Sequence, residues 1–344
     1  MNPILAVSDL RVSFATEDGA VRAVDGVSFE LAPGEILAIV GESGSGKSVT
    51  AQTLIGLTRA PNTTIEGSVR FGDREINGLS DEELRDVRGE HMAMVFQDPM
   101  TSLNPVYRVG DQMTEMIRAH RDISNKDALA QAVDLLRLVG IPSPERRVGQ
   151  YPHEFSGGMR QRVMIAMALS LEPEVLIADE PTTALDVTVQ AQILRLIDQF
   201  NRERQLAVVL ITHDLGVVAE VADRVLVMYA GQIVEDGTLE DIFYNPQHPY
   251  TWGLLGSLAR LDQPRPERLA QIAGLPPSLL DPPTGCRFAP RCPHAFDKCA
   301  ELPPLEARAS EAGTHLDRCW LTPRQKSELR EVDGRIGLGS RVNR

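Results

Sequence analysis

The apolar run Ile36-Leu37-Ala38-Ile39-Val40 is followed at once by Gly41-Glu42-Ser43-Gly44-Ser45-Gly46-Lys47-Ser48. An unbroken apolar run ending at glycine reads as a strand buried on both faces of a sheet. The next eight residues fit G-x-x-x-x-G-K-[S/T], and the chain after Lys47 is helix-compatible as far as Pro61-Asn62. Glycines let a backbone curl until successive N–H groups point at one anion, and the start of the following helix adds the positive end of its dipole. Lys47 is then placed to neutralise the outer phosphates of a nucleotide, and Ser48 to ligate Mg²⁺.

The rest of the chain alternates strand and helix signals. Leu5 to Phe14 and Val24 to Leu31 read as strands, as do Ala93 to Phe96, Val175 to Ala178, Ala207 to Ile211 and Arg224 to Tyr229. From about Tyr107 to Leu171 the signal is mostly helical: Met113, Met116 and Ile117 recur at helical spacing, and so do Ala132, Leu135, Leu136 and Val139. This predicts an α/β core with a helical insertion. After about Asp241 the character shifts. Ten of the 23 prolines fall between Pro264 and Pro304, a density that opposes long helices and central strands there and predicts an irregular appended unit.

Two further pieces bear on phosphate chemistry. Val175-Leu176-Ile177-Ala178-Asp179-Glu180 is an apolar strand ending in two acids, which puts them at the carboxyl edge of the sheet, where ligands of α/β folds sit. Asp179 suits an Mg²⁺ contact and Glu180 the polarisation of an attacking water. Phe155-Ser156-Gly157-Gly158-Met159 precedes the helical Arg160 to Leu169 and forms a second anion-binding helix end. One nucleotide has little use for two such sites in one monomer. A head-to-tail dimer, with each serine facing the partner's γ-phosphate, resolves this.

Charge and composition narrow the function classes. The net charge of −13 opposes non-specific binding to nucleic acid or to an anionic membrane surface. No run approaches the ~20 apolar residues of a membrane span. Met1 to Leu10 lacks the pattern of a signal peptide, so the chain is expected to stay in the cytosol.

Together these residues resemble the ATP-binding subunit of an ABC transporter over about residues 4–250. Gly41 to Ser48 matches the phosphate loop and Gln97 the Q-loop glutamine. Ser156-Gly157-Gly158-Met159-Arg160-Gln161 matches the signature, with Met159 where glutamine is commonest. Asp179-Glu180 matches the acidic strand end, Ala184-Leu185-Asp186 the D-loop, and His213, after Ile211-Thr212, the switch histidine. The stretches FQDPMTSLNP (Phe96 to Pro105), DVTVQAQIL (Asp186 to Leu194) and NPQHPYT (Asn245 to Thr251) resemble the dipeptide/oligopeptide (and nickel) importer branch.

The resemblance implies a P-loop ABC-type nucleotide-binding domain over 1–250, with a β subdomain and an inserted helical subdomain at about 98–170. An irregular Cys-containing extension over 251–344 follows. It implies ATP held by Phe14 stacking on adenine, by Gly41, Ser43, Gly44, Ser45, Gly46, Lys47, Ser48 and Val49, and by Gln97. Mg²⁺ is assigned to Ser48, Gln97 and Asp179, catalysis to Glu180, His213 and Lys47, and the partner's ATP to Ser156, Gly157, Gly158 and Met159. The implied activity is ATP hydrolysis that powers peptide import from the cytoplasmic face of the membrane. The partners are a second, different ABC ATPase subunit, two permeases and an extracytoplasmic solute-binding protein. The surface after Gln97, to about Leu138, is expected to dock a permease helix, with Met94, Met100, Met113 and Met116 lining a groove or simply filling core. An importer ATPase for nickel, glutathione or another small solute is the alternative, and a soluble ABC ATPase of iron–sulfur assembly a more distant one.

All four cysteines lie in the extension, as Cys286-x5-Cys292-x6-Cys299-x19-Cys319. Such clustering points to metal before disulfide in a cytosolic chain. The spacing is wider than usual zinc pairs, four thiolates also suit an iron–sulfur cluster, and unligated thiols stay open. The resemblance, carried by Gly285-Cys286-Arg287-Phe288-Ala289-Pro290-Arg291-Cys292-Pro293, favours [4Fe–4S]. His294 and His315 read as surface histidines.

Overall fold

A computed structural model of the chain describes residues 2–98, 102–183, 185–257, 272–307 and 315–333. In chain order the strands are β1 (Leu5–Thr16), β2 (Gly19–Leu31), β3 (Ile36–Val40), β4 (Thr63–Phe71), β5 (Arg74–Glu75), β6 (Met92–Val95), β7 (Val175–Asp179), β8 (Ala207–Thr212), β9 (Arg224–Tyr229), β10 (Gln232–Thr238), β11 (Glu306–Ala307) and β12 (Leu316–Asp317). The helices are α1 (Lys47–Leu54), α2 (Asp81–Val87), α3 (Val109–His120), α4 (Asn125–Leu138), α5 (Pro144–Arg147), α6 (Gly157–Ala168), α7 (Val187–Arg204), α8 (Leu215–Val221), α9 (Leu239–Tyr244), α10 (Pro249–Gly256) and α11 (Pro323–Asp333). The chain divides into two compact units.

One unit comprises residues 1–5, 31–36 and 71–211. Its strands β6, β7 and β8 pair in parallel, with Met92 opposite Val175, and Val175 opposite Ala207. Every residue of β6 and β7 is buried, which is why these strands read as unbroken apolar runs rather than alternating ones. The predicted helical insertion is α3 to α6. Val109, Met113 and Ile117 form the buried stripe of α3, and Ala128, Ala132 and Leu136 that of α4; these two helices pack on each other, and α4 on α6. Met94 and Met113 are buried, so they fill core rather than line a groove, and Met116 is half-buried. Met100 lies outside the described residues.

The other unit comprises 6–30, 37–70 and 212–344. In it β2, β1 and β4 lie side by side in that order. The buried positions of β1 switch from Leu5 and Val7 to Leu10 and Val12, because Asp9 takes a left-handed φ of 45° and inserts one extra residue into the alternation. A Cβ on Gly67 would lie 2.3 Å from the Asp9 carbonyl oxygen, so only glycine fits beside this bulge. Strand β3 runs parallel to β9, β9 antiparallel to β10, and β12 antiparallel to both β10 and β11. The core of this unit joins Val40, Val227, Tyr229, Tyr250 and Phe288, with Cys286 and Cys292 packed against it.

The extension is largely turns and short pieces, as its prolines require, but it is tied into regular structure at two places. Strand β12 extends the β10 ladder, Glu235 opposite Asp317, and α11 follows it. The proline argument stops at Pro304 and did not anticipate α11. Lys326 of α11 is fully buried and paired with Asp317 at 2.6 Å. His315 corrects a sequence expectation. It is buried rather than at the surface, and its Nε2 lies 2.8 Å from Glu235 on β10. A lone histidine with no apolar periodicity around it gives no pattern from which burial could be read.

Candidate nucleotide-binding residues

The phosphate loop leaves β3 and ends at the start of α1. Gly41, Gly44 and Gly46 take φ values of 153°, 77° and 100°. Two of them are also fixed by space. A Cβ at Gly41 would lie 2.1 Å from the Met228 carbonyl oxygen, and one at Gly46 would lie 2.4 Å from that of Ala23. Gly46 is the N-cap of α1 and offers no side-chain cap, so the helix start opens directly onto the loop, as an anion site requires. Lys47 is buried, and its Nζ donates to the carbonyl oxygens of Gly41 at 2.8 Å and Glu42 at 3.0 Å. Its charge is thus held inside the loop. Ser45 is buried, Ser48 and Val49 are half-buried, and Ser43 is exposed. Phe14 is half-buried on β1 rather than in the core, so part of its ring is accessible. His213 is exposed just beyond β8.

In the first unit the buried Asp179 ends β7 and Glu180 follows it with a left-handed φ of 48°. A non-glycine residue held there is strained, and such strain collects at functional sites. The Glu180 N–H donates to the Ile211 carbonyl oxygen at 2.8 Å, which fixes the turn. Its carboxylate Oε2 accepts from Gln97 Nε2 at 2.9 Å and from Thr183 Oγ1 at 2.8 Å. The structure therefore brings Gln97 and Glu180 together, although the sequence placed them 83 residues apart. Thr183 is a partner the sequence reading missed; its place three residues after Glu180 is the signal that was available.

The signature Ser156 is the N-cap of α6, and its Oγ accepts from the Met159 N–H at 3.4 Å. A Cβ on Gly158 would come within 2.9 Å of Val189, so this helix start packs closely on α7. Gly157 is exposed and Gly158 and Met159 half-buried. Asp186 caps α7 by accepting from the Val189 N–H at 3.0 Å. Ala184 of the same short motif lies outside the described residues.

All four cysteines line one cavity, with His248, Phe288, Trp320 and Leu321 among its other walls. Burial raises the thiol of Cys286 above its ordinary value, that of Cys292 to about 11 and that of Cys319 to about 12. Among the described residues no three His, Cys, Asp or Glu side chains are gathered as ligands of a single ion. Backbone contacts hold the cysteine loops together. The Cys286 N–H donates to the Cys299 carbonyl oxygen at 2.9 Å, and a Cβ on Gly285 would lie only 2.3 Å from that same oxygen.

The motif at 245–251 acquires a physical role. Glu235, fully buried, accepts from the N–H groups of Gln247 and His248 as well as from His315. Burial lowers the His248 imidazole to about 3, so it stays neutral, and its Nδ1 accepts from the Tyr250 N–H.

Comparison with known proteins gives the family. Residues 24–183 match the family described as ABC transporter, and residues 234–299 match the oligopeptide/dipeptide transporter C-terminal region. The dipeptide transport ATP-binding protein DppD of Bacillus subtilis is 54% identical, over 97% of this chain and 99% of its own length. The oligopeptide transport ATP-binding protein OppD of Salmonella typhimurium is 56% identical, over 89% of this chain and 91% of its own length. Among solved structures, a post-hydrolysis dimer of the ATP-binding cassette MJ0796 bound to ADP and Pi is 27% identical, with a TM-score of 0.62, covering 68% of this chain and 98% of that one. The chain belongs to the ABC transporter ATPases, in the branch of dipeptide and oligopeptide transport ATP-binding proteins. No helix among the described residues is long and apolar enough to cross a membrane.

Proposed function

We propose that this chain hydrolyses ATP to power the import of dipeptides or oligopeptides through partner permeases, from the cytoplasmic face of the cell membrane. The observation that carries this reading is the 54% identity to a dipeptide transport ATP-binding protein over 97% of the chain, extension included. In this reading residues 1–250 are the ATPase domain, with a helical subdomain at about 98–170, and 251–344 the extension.

The roles follow from the chemistry of each group. The phosphate loop, Gly41 to Ser48, binds the phosphates through backbone N–H groups, and Lys47 neutralises their charge. Ser48, Gln97 and Asp179 would hold Mg²⁺, which would supply positive charge to the phosphates. Glu180 takes the proton of the attacking water, His213 reads the γ-phosphate, and Phe14 stacks on adenine. Ser156, Gly157, Gly158 and Met159 offer a helix N-terminus to the ATP of a second ABC ATPase subunit. Gln97 donates to Glu180 and so helps to hold its carboxylate in place. The catalysis is positioning plus electrostatic stabilisation of a phosphoryl group.

Two permeases, a second and different ATPase chain and an extracytoplasmic solute-binding protein complete the importer. The resemblance at 285–293 favours a [4Fe–4S] cluster, which Cys286, Cys292, Cys299 and Cys319 would hold; the four line a single cavity. When bound, such a cluster supplies four covalent ties to a segment rich in turns. Uptake of such a group would require Cys286, Cys292 and Cys319 to give up the protons that burial favours.

The test is to purify the tagged chain without oxygen from mildly solubilised native membranes, and to identify the chains that accompany it. Two permeases and a second ATPase are expected, with iron and acid-labile sulfide in near-equal amounts. Recovery of the chain alone, or with soluble assembly factors only, contradicts the importer reading.

A further inference from the structure

The extension reaches the phosphate loop itself, at Glu42. This residue occupies the second position of the loop, where the sequence pattern leaves the side chain open. Every polar group of Glu42 is engaged. Its N–H donates to the Tyr250 hydroxyl at 2.8 Å, and its carbonyl oxygen accepts from Lys47 Nζ at 3.0 Å. Its carboxylate accepts two bonds from Arg291, Nη1 to Oε2 at 2.6 Å and Nη2 to Oε1 at 3.0 Å. Parallel bonds between a guanidinium and a carboxylate fix orientation as well as distance.

Arg291 is anchored from behind. Its Nε donates to the Ala273 carbonyl oxygen at 2.9 Å and its Nη2 to that of Ile272 at 3.3 Å. Its Nη1 also donates to the Tyr229 hydroxyl at 3.3 Å, and its guanidinium lies 5.8 Å from the centre of that ring. The Arg291 side chain is 4% exposed and that of Glu42 is 29% exposed. Tyr229 and Tyr250 are buried with ring centres 4.6 Å apart, and Phe288 packs edge-on to Tyr229. Burial pushes the Tyr250 phenol up, so it stays neutral and able to accept the Glu42 N–H.

We propose that Tyr250, at the end of the ATPase domain, and Arg291, in the C-terminal extension, are positioning residues for the nucleotide: they clasp Glu42 and hold the phosphate loop in its curled form, so the extension, through Arg291, contributes to the affinity for ATP. The proposal rests on the phosphate-loop reading above and goes beyond it. Two stretches that the sequence supplied only as family labels, at 245–251 and 285–293, thereby gain one shared physical task. Loop curvature needs this support because three glycines leave the backbone many alternatives, and a loop that binds anions through backbone N–H groups must be shaped before the ligand arrives.

The test uses the full-length chain, prepared without oxygen, with its equilibrium Kd for ATP–Mg²⁺ and the KM and kcat of hydrolysis. Tyr250→Phe removes only the hydroxyl that accepts from Glu42 and is expected to weaken ATP roughly fivefold; Glu42→Gln and Arg291→Met are each expected to weaken it about tenfold. The loss appears as a rise in KM larger than the fall in kcat, which a general loss of folded protein does not produce. The Glu42→Gln/Arg291→Met double variant is expected to bind no more weakly than the worse single one. ATP affinity within about twofold of the parent for both Tyr250→Phe and Glu42→Gln overturns the clasp, as does a double variant whose losses multiply. Should Arg291→Met fail to fold, the other two variants decide alone. A Lys47→Ala chain that binds ATP as tightly as the parent overturns the phosphate-loop reading instead.

Discussion

Glu180 sits in a left-handed conformation with its carboxylate held by Gln97 and Thr183. Replacing it by glutamine keeps the hydrogen-bonding shape and removes the base. Glu180→Gln is expected to lower steady-state hydrolysis by about 10²–10⁴-fold and to trap an ATP-bound dimer, seen by size-exclusion chromatography with ATP. Normal turnover by that variant would sink the assignment. His315 makes a pH statement at the same scale. Burial alone would lower its imidazole, but the hydrogen bond and charge of Glu235, with Asp241 and Asp317, outweigh that and raise it above 6.5. A raised folded value means the pair's stabilisation is fully present below pH 6.5 and is lost as pH rises through the folded value. Thermal unfolding is therefore expected to show Tm falling with rising pH across that window, and His315→Gln to flatten the slope.

Elements differ in how legible they were. The strands β3, β7, β8 and β9 were plain in the sequence because both faces are buried, and an unbroken apolar run needs no partner to be recognised. Strand β10 was missed: it carries Gln232, Glu235, Asp236 and Gly237, and the buried Glu235 is met by His315, Gln247 and His248 from distant parts of the chain. Helix α11 was missed for the same reason, since Lys326 is buried by pairing with Asp317 and not by apolar pattern. The strand–glycine loop–helix order around residues 41–48 was legible because Gly41 and Gly46 sit where backbone oxygens leave no room for a Cβ. That makes Gly46→Ala a sharp test. With φ at 100° and a Cβ 2.4 Å from a backbone oxygen, the variant is expected to lose ATP binding while its far-ultraviolet circular dichroism stays near that of the parent. Retained ATP binding would mean that the loop can deform without loss.

For the whole molecule, the extension is more than an appendage, because it is part of the same unit as the phosphate loop. Arg287, almost fully buried, donates to the Ala230 carbonyl oxygen and to the Asp25 carboxylate on β2. Burial lowers the Arg287 guanidinium, and the Asp25 charge opposes that shift. Removing one partner of such a pair leaves a buried charge alone, which costs about 3–5 kcal/mol. Asp25→Ala is thus expected to lower stability by an amount near that range in urea unfolding, a loss that Asp25→Ala/Arg287→Met partly restores. No sequence pattern points to this pair, whose members lie 262 residues apart.

The central claim is that ATP hydrolysis by this chain drives peptide uptake. The most direct measurement is accumulation of a labelled dipeptide by energised cells lacking the chain, complemented with the parent or with Glu180→Gln at equal expression. Uptake restored by the parent and absent with Glu180→Gln is the expected result. Uptake that is equal with both, or that the parent does not restore, would contradict the account.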